Sequence, residues 1–314
     1  MVSLRGAAER PLNSKSRMHS IETGNRWTRP LVALVALLLI VWTIRATPDA
    51  RVVAPPEALG GGTSLQGQFQ AQPAPSAAPI SAAAADSAVA GRTPIVMLGQ
   101  VALYTSDGSY SPDQLRDLAG PLGDALGYVS ARTEMQLSGP IAIIFDRRDS
   151  CGLDGAAYTE RRLIMLYACA DMPTNRAVNI LAHEFVHQLA YDHYGAAHMQ
   201  ADLILSEGLA TWGAGKYWLG RESDFRGFVQ HNYAAQLLPL GTHYRDIGTI
   251  DAMNRLYYQW ASFVDFLISS RGREAFDALY RSGHGMQPNT ADYSGVLGAD
   301  LGGVEQQWKE WLSQ

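Results

Sequence analysis

Apolar positions fall into three regimes along the chain. Leu31 to Ile44 is aliphatic and uncharged, and residues 46 to about 93 show no period. From about 94 short aliphatic runs alternate with amphipathic stretches. The last regime predicts elements. Ser111-Pro112-Asp113 reads as an N-cap with proline at the first turn, opening a helix to about Gln136 with a weak point at Gly120-Pro121. Pro140 to Phe145 and Arg162 to Ala168 are short aliphatic runs bounded by Gly, Asp and Arg, which read as strands. Thr174 is expected to cap a helix through Leu189, with further helices over about 199–217, 253–270, 272–282 and 303–313. Strands early and helices late predict an α+β fold, a small N-terminal sheet followed by a mostly helical C-terminal part.

Charge divides the chain the same way. Residues 1–29 carry Arg5, Arg10, Lys15, Arg17, Arg26 and Arg29 against Glu9 and Glu22, whereas the whole chain has a net charge of −5. The head is basic, residues 30–93 balance, and residues 94–314 are acidic. This gives no electrostatic footprint for nucleic acid, and two cysteines are too few for a disulfide scaffold. A spanning helix needs about 20 residues, which the Leu31 to Ile44 run reaches only if its flanks enter the interface. Two readings stand, an uncleaved signal anchor over 30–46 or the apolar region of a cleaved signal peptide. Arg45 stands where a small-residue cleavage motif should follow and favours the anchor. Both leave the basic head in the cytoplasm and export the body, to the outer face of the cell membrane or as a secreted protein. Residues 47–93, rich in Ala, Pro, Ser and Gly, cannot bury enough apolar surface to fold. They read as a disordered linker with a reach of about 40 Å, ahead of a domain over 94–314.

The chemistry lies in His183-Glu184-Phe185-Val186-His187. Two histidines four apart share a helix face and can reach one cation, while Glu184 beside them can take a proton from water. Ile180, Leu181, Phe185, Val186 and Leu189 make this a mostly buried helix, where such polar groups are costly without a metal or other partners. Catalytic zinc sites use three protein ligands. Glu207, twenty residues after His187 in the apolar run Leu203 to Trp212, is the expected third. Asp192 and Asp202 read as solvated groups or supports for the ligands, His193 and His198 as solvated loop histidines, and Trp212, Tyr217 and Trp218 as core. Export would permit a disulfide between Cys151 and Cys169.

His-Glu-Phe-Val-His followed by Ser-Glu-Gly-Leu-Ala-Thr-Trp resembles the gluzincin metallopeptidases, in particular compact bacterial domains of the peptidase MA-like kind. Tyr258 to Leu267 is similar to their next helix, and Val304 to Leu312 to their terminal Trp-rich helix. The resemblance implies one zinc per domain on His183, His187 and Glu207, with Glu184 as general base. It also implies a strand, here Arg162 to Ala168, along a cleft that binds extended peptide. A Tyr or His stabilises the oxyanion in that family. Tyr258 is the best match, with Tyr257, His243 and Tyr244 weaker ones. The chain lacks the long additional regions of thermolysin and the Gly-x-Met-Glu-Asn motif of the aminopeptidases. The expected function is a membrane-tethered zinc peptidase of the endopeptidase kind, acting on a peptide or protein substrate. The alternative is a catalytically silent binding or assembly protein on the same fold, which loss of the base would mark, and Glu184 is present.

Overall fold

Five short strands form one mixed sheet in the order β1-β2-β3-β5-β4, in a computed structural model that describes residues 89, 91–106, 110–147, 155–168 and 173–314. They are β1 (Val96–Leu98), β2 (Val101–Thr105), β3 (Ile141–Arg147), β4 (Gly155–Tyr158) and β5 (Leu163–Ala168). β1 and β4 run antiparallel to their neighbours, and β2, β3 and β5 are mutually parallel. The Leu31 to Ile44 segment, most of the linker, Cys151 and Cys169 lie outside the described residues. Among the described residues no helix is long and apolar enough to cross a membrane.

The parallel β2–β3 pair requires a crossover, supplied by α1 (Pro112–Thr133). Ser111 closes a capping box there: its Oγ accepts from Gln114 N at 3.2 Å and its N–H donates to Gln114 Oε1 at 2.8 Å. The expected weak point does not break this helix. Pro121 costs it one backbone donor, but Leu118 and Leu122 on either side are fully buried, and their burial outweighs the lost bond.

Strand alternation sends Val101, Leu103, Ile141, Ile143, Phe145, Ile164 and Leu166 into the main core against the helices. The alternate residues Ala102, Tyr104, Ala142, Ile144 and Leu163 form a second cluster with Val89 on the other face. Val89 is buried and Arg92 donates to Thr105 O at 2.8 Å, so the folded part begins within the segment expected as linker. One apolar side chain covering an open sheet face is too small a signal for composition to register.

Among the described residues six longer helices follow, α2 (Thr174–Tyr194), α3 (Leu203–Ala214), α4 (Phe225–Tyr233), α5 (Ile250–Arg271), α6 (Arg273–Arg281) and α7 (Leu301–Ser313), with short helical turns at Lys216–Leu219 and Tyr293–Leu297. The α+β class with an early sheet is what the structure shows. Thr174 is the first helical residue of α2 rather than its cap, because Pro173 holds that position with its fixed φ and no side-chain bond. α2 also runs five residues beyond Leu189, to a glycine at φ 61°. Residues 195–200 then form a 3₁₀ turn, so the region read as a loop is mostly helical.

Two buried aspartates fix the helices of the site. Asp202 caps α3 by accepting from Ile204 N at 2.9 Å, and its other oxygen accepts from Thr290 N at 2.7 Å and Ala291 N at 3.1 Å. Asp192 of α2 pairs with Arg162 at 2.6 and 3.1 Å and accepts from Ser138 N at 2.8 Å. Neither is solvated: Asp202 is 0% exposed and the Asp192 side chain 2%. α3 lies against α5 at Gly208, where a Cβ would stand 2.7 Å from Trp260 O and 2.8 Å from Val264 Cγ2. Only glycine permits that approach.

Candidate metal centre

His183 and His187 stand one turn apart on α2, and Glu207 projects from α3 toward them. Their ligating atoms all lie within 4.8 Å of one another. His183 Nε2 is 3.2 Å from Glu207 Oε2 and 3.2 Å from His187 Nε2, and His187 Nε2 is 3.6 Å from Glu207 Oε2. On the far side of its ring His183 Nδ1 lies 3.4 Å from Thr211 Oγ1, one turn along α3 from Glu207. With a cation bound, a hydroxyl accepting from Nδ1–H would leave the Nε2 lone pair to face it.

These separations test whether the group suits a metal. Four ligands at the 2.0–2.1 Å typical of nitrogen and carboxylate bonds, arranged tetrahedrally, stand about 3.3–3.4 Å apart. The three observed separations bracket that value. The two ring nitrogens, 3.2 Å apart, can share at most one N–H···N hydrogen bond, while both also face Glu207 Oε2, so the three atoms converge on one point. His183, His187 and Glu207 are therefore a group that could hold one metal ion through two nitrogens and an oxygen.

Glu184 lies beside this group and is buried with it. Burial pushes its carboxyl up to about 7; Glu207 adds to the rise, while the His187 charge and a hydrogen bond from the Ala157 backbone oppose it. Burial would raise Glu207 as well, but the His187 charge and hydrogen bonds from both imidazoles hold it well below the ordinary carboxylate range. The two glutamates line the same cavity and are driven in opposite directions, one up to about 7 and the other toward a permanent anion.

The group opens on a cavity of about 410 Å³. Its rim is β4, through Gly155, Ala156 and Ala157, and not β5 as expected. β5 runs inside the sheet between β3 and β4, so both its edges are paired, whereas β4 ends the strand order. Gly155 is required at that place, because a Cβ there would stand 2.6 Å from Ile180 Cγ2 and 2.7 Å from Glu184 Oε1.

The tyrosine assignment also changes. Tyr258 does not line the cavity: it is buried against Phe228, with ring centroids 4.1 Å apart, and its hydroxyl donates to Trp218 O at 2.7 Å. Tyr257 lines the cavity, its ring 6.0 Å from that of His183, and its hydroxyl meets Glu207. Tyr244 lines the cavity too, and His243 does not. Trp218 is both core and wall, packed 5.4 Å from the His183 ring. Trp212 is buried as expected, its Nε1 donating to Asp265 at 3.0 Å. His193 is partly exposed beside Asp277, at 3.9 Å.

His198, expected to be solvated, is 4% exposed and lines the cavity on the His187 side, with ring centroids 5.8 Å apart. Burial, aided by the His187 charge, pushes it down to about 3. No family model matches the chain, and no match to it is found among curated proteins.

Proposed function

We propose that the folded part of this chain is a zinc-dependent peptidase. The observation that carries this reading is the near-tetrahedral spacing of His183, His187 and Glu207 with the Glu184 carboxyl beside them on the floor of a cavity. Two nitrogens and a carboxylate suit zinc, and three protein ligands leave a fourth position open. When bound, zinc supplies a Lewis acid that polarises a carbonyl and acidifies water.

The chain's own residues supply the rest. Glu184, whose carboxyl lines the cavity beside the three ligands, accepts the proton of the attacking water and passes it to the departing amine. The edge of β4 that has no strand partner among the described residues offers backbone N–H and C=O groups to an extended peptide, the pattern of strand addition. Tyr257, held protonated by burial and by the charge of Glu207, presents an O–H to the oxyanion as it develops. In this reading the basic head and the Leu31 to Ile44 segment anchor the enzyme, and the linker holds its body outside the membrane.

The test combines metal content with turnover on a casein and peptide-library panel. His187→Ala and Glu207→Ala are expected to lose zinc. Glu184→Gln is expected to keep it while hydrolysis falls by about 10² or more. Stoichiometric zinc in either ligand variant, or undiminished cleavage by Glu184→Gln, overturns the reading.

A further inference from the structure

His198 stands outside the metal-binding triad and the Glu184–Tyr257 pair, yet the fold takes trouble to hold it. Gly195, at φ 61°, turns the chain out of α2, and the 3₁₀ turn Gly195–Gln200 carries the imidazole back to the cavity wall. There its Nδ1 lies 2.8 Å from the hydroxyl of Tyr280, a residue of α6 that is 0% exposed. This enclosed phenol has two polar partners, Ser206 and the imidazole; with the Ser206 hydroxyl donating to the phenol oxygen, the phenol's own proton goes to the imidazole nitrogen at 2.8 Å. With Nδ1 accepting, the ring's hydrogen sits on Nε2. A doubly protonated ring would also carry hydrogen there, so the donor does not depend on the charge state. Among the described residues no protein group accepts from Nε2, and the ring lines the cavity.

The position of this donor defines its use. Tyr257 and Trp218 wall the cavity on the His183 side, while His198 lies on the His187 side. Next to it in sequence is Met199, whose sulfur accepts from Thr159 Oγ1 at 3.4 Å, and Met286 lines the same cavity; both methionines are exposed and apolar. An uncharged N–H beside thioethers, with the Thr159 hydroxyl turned to the Met199 sulfur, suits a neutral main-chain carbonyl flanked by apolar side chains. It does not suit an anionic terminus, which calls for a cation.

We propose that His198 is a substrate-contacting residue, its Nε2–H donating to a backbone carbonyl of the bound peptide away from the scissile bond, with Tyr280 as the residue that orients it. This rests on the peptidase reading above and adds to it the group that registers the peptide in the cleft.

Two substitutions separate this role from a structural one. His198→Asn places an amide where Nδ1 stood, so it keeps the Tyr280 contact and loses the donor into the cavity. His198→Gln reaches the Nε2 position and restores that donor while giving up Tyr280. The full-length protein in detergent, loaded with zinc, is assayed with end-capped fluorogenic peptides carrying apolar side chains. Tm and zinc content are read in parallel. His198→Asn is expected to keep its zinc and lose about tenfold in kcat/KM, carried by KM, and His198→Gln to return to within about threefold of wild type.

The same pair is measured on a Glu184→Gln background by fluorescence anisotropy of a labelled capped peptide, which reads binding without turnover. There His198→Asn should weaken the Kd about tenfold and His198→Gln should not. If His198→Asn matches wild type in both assays, or if His198→Gln is the more damaged and the loss follows Tm, the proposal is wrong. Should wild type cleave nothing while the anisotropy series behaves as stated, the peptidase reading fails and the His198 contact stands. Absence of peptide binding overturns both.

Discussion

Replacing Asp192 with Asn probes the strut that joins the sheet to the helix carrying His183 and His187. Asp192 lies five residues beyond His187 on α2, and its carboxylate accepts two bonds from Arg162 and one from Ser138 N. Arg162, at the left-handed φ of 53°, also donates to Pro140 O at 2.7 Å and Gly139 O at 2.6 Å. One guanidinium thus ties α2 to the turn before β3 and to the start of β5. Breaking a buried ion pair by deleting one partner typically costs about 3–5 kcal/mol. Here the Arg162 side chain is 15% exposed and keeps two carbonyl acceptors, and Asn retains the shape and one acceptor. The expected loss is therefore smaller, about 2–3 kcal/mol at pH 7, set by charged hydrogen bonds worth about 1.5–3 kcal/mol each. For a folded region of this size that is a fall in Tm of about 4–12 °C.

The pH dependence has a definite sign. Burial would raise the Asp192 carboxyl, but the Arg162 bonds, the Ser138 N–H and the Arg162 charge outweigh it and hold it below the usual carboxylate range. A depressed acid stabilises the fold above its unfolded pKa of about 3.9 and loses that contribution as pH falls through its folded value. The gap between wild type and Asp192→Asn should be constant from pH 7 to about 5 and close below about 4. Urea titrations followed by circular dichroism at pH 7, 5.5 and 3.5 measure it. A gap under 0.5 kcal/mol at pH 7, or one that persists unchanged at pH 3.5, refutes the strut.

Two further outcomes are expected. Gly208→Ala drives a methyl against the Trp260 carbonyl and Val264, so it should cost about 1–3 kcal/mol in urea titrations and weaken zinc retention through the adjoining Glu207; a neutral result would mean that α3 and α5 separate freely. Tyr257→Phe should lower kcat by about tenfold or more with little change in Tm, whereas Tyr258→Phe, which loses only its bond to Trp218 O, should cost about 1 kcal/mol of stability and little turnover; the reverse pattern would restore Tyr258 as the oxyanion donor.

Short-range pattern was enough for some of this. The i, i+4 spacing of His183 and His187 places both on one helix face whatever surrounds them, and Ser111-Pro112 opens a helix on local geometry alone. Glu207 was legible for a different reason, as a single carboxylate in an otherwise apolar helix that burial would punish without a partner. The two-tier order of strands before helices likewise announced the α+β class.

Other features depended on contacts between distant segments. Tyr257 and Tyr258 are neighbours on one helix flanked by buried residues on both sides, and only the packing of α5 against α3 and the Trp218 turn decides which hydroxyl meets Glu207. The repeat of Met253 and Tyr257 along one cavity-lining face was the one local hint. β4 is Gly-Ala-Ala-Tyr, too short and too small to register as an apolar run, and it is a strand because β5 pairs with it and Ile180 and Glu184 leave no room for a larger residue at 155. His198 reads as a solvated loop residue, and Asp192 and Asp202 as solvated groups or supports for the ligands, because polar side chains are usually exposed. Each is buried because a partner far along the chain, Tyr280, Arg162 or Thr290, supplies the hydrogen bond that makes burial tolerable. Periodicity acts over a few residues and is written in the sequence, whereas such satisfaction is settled only when the chain closes on itself.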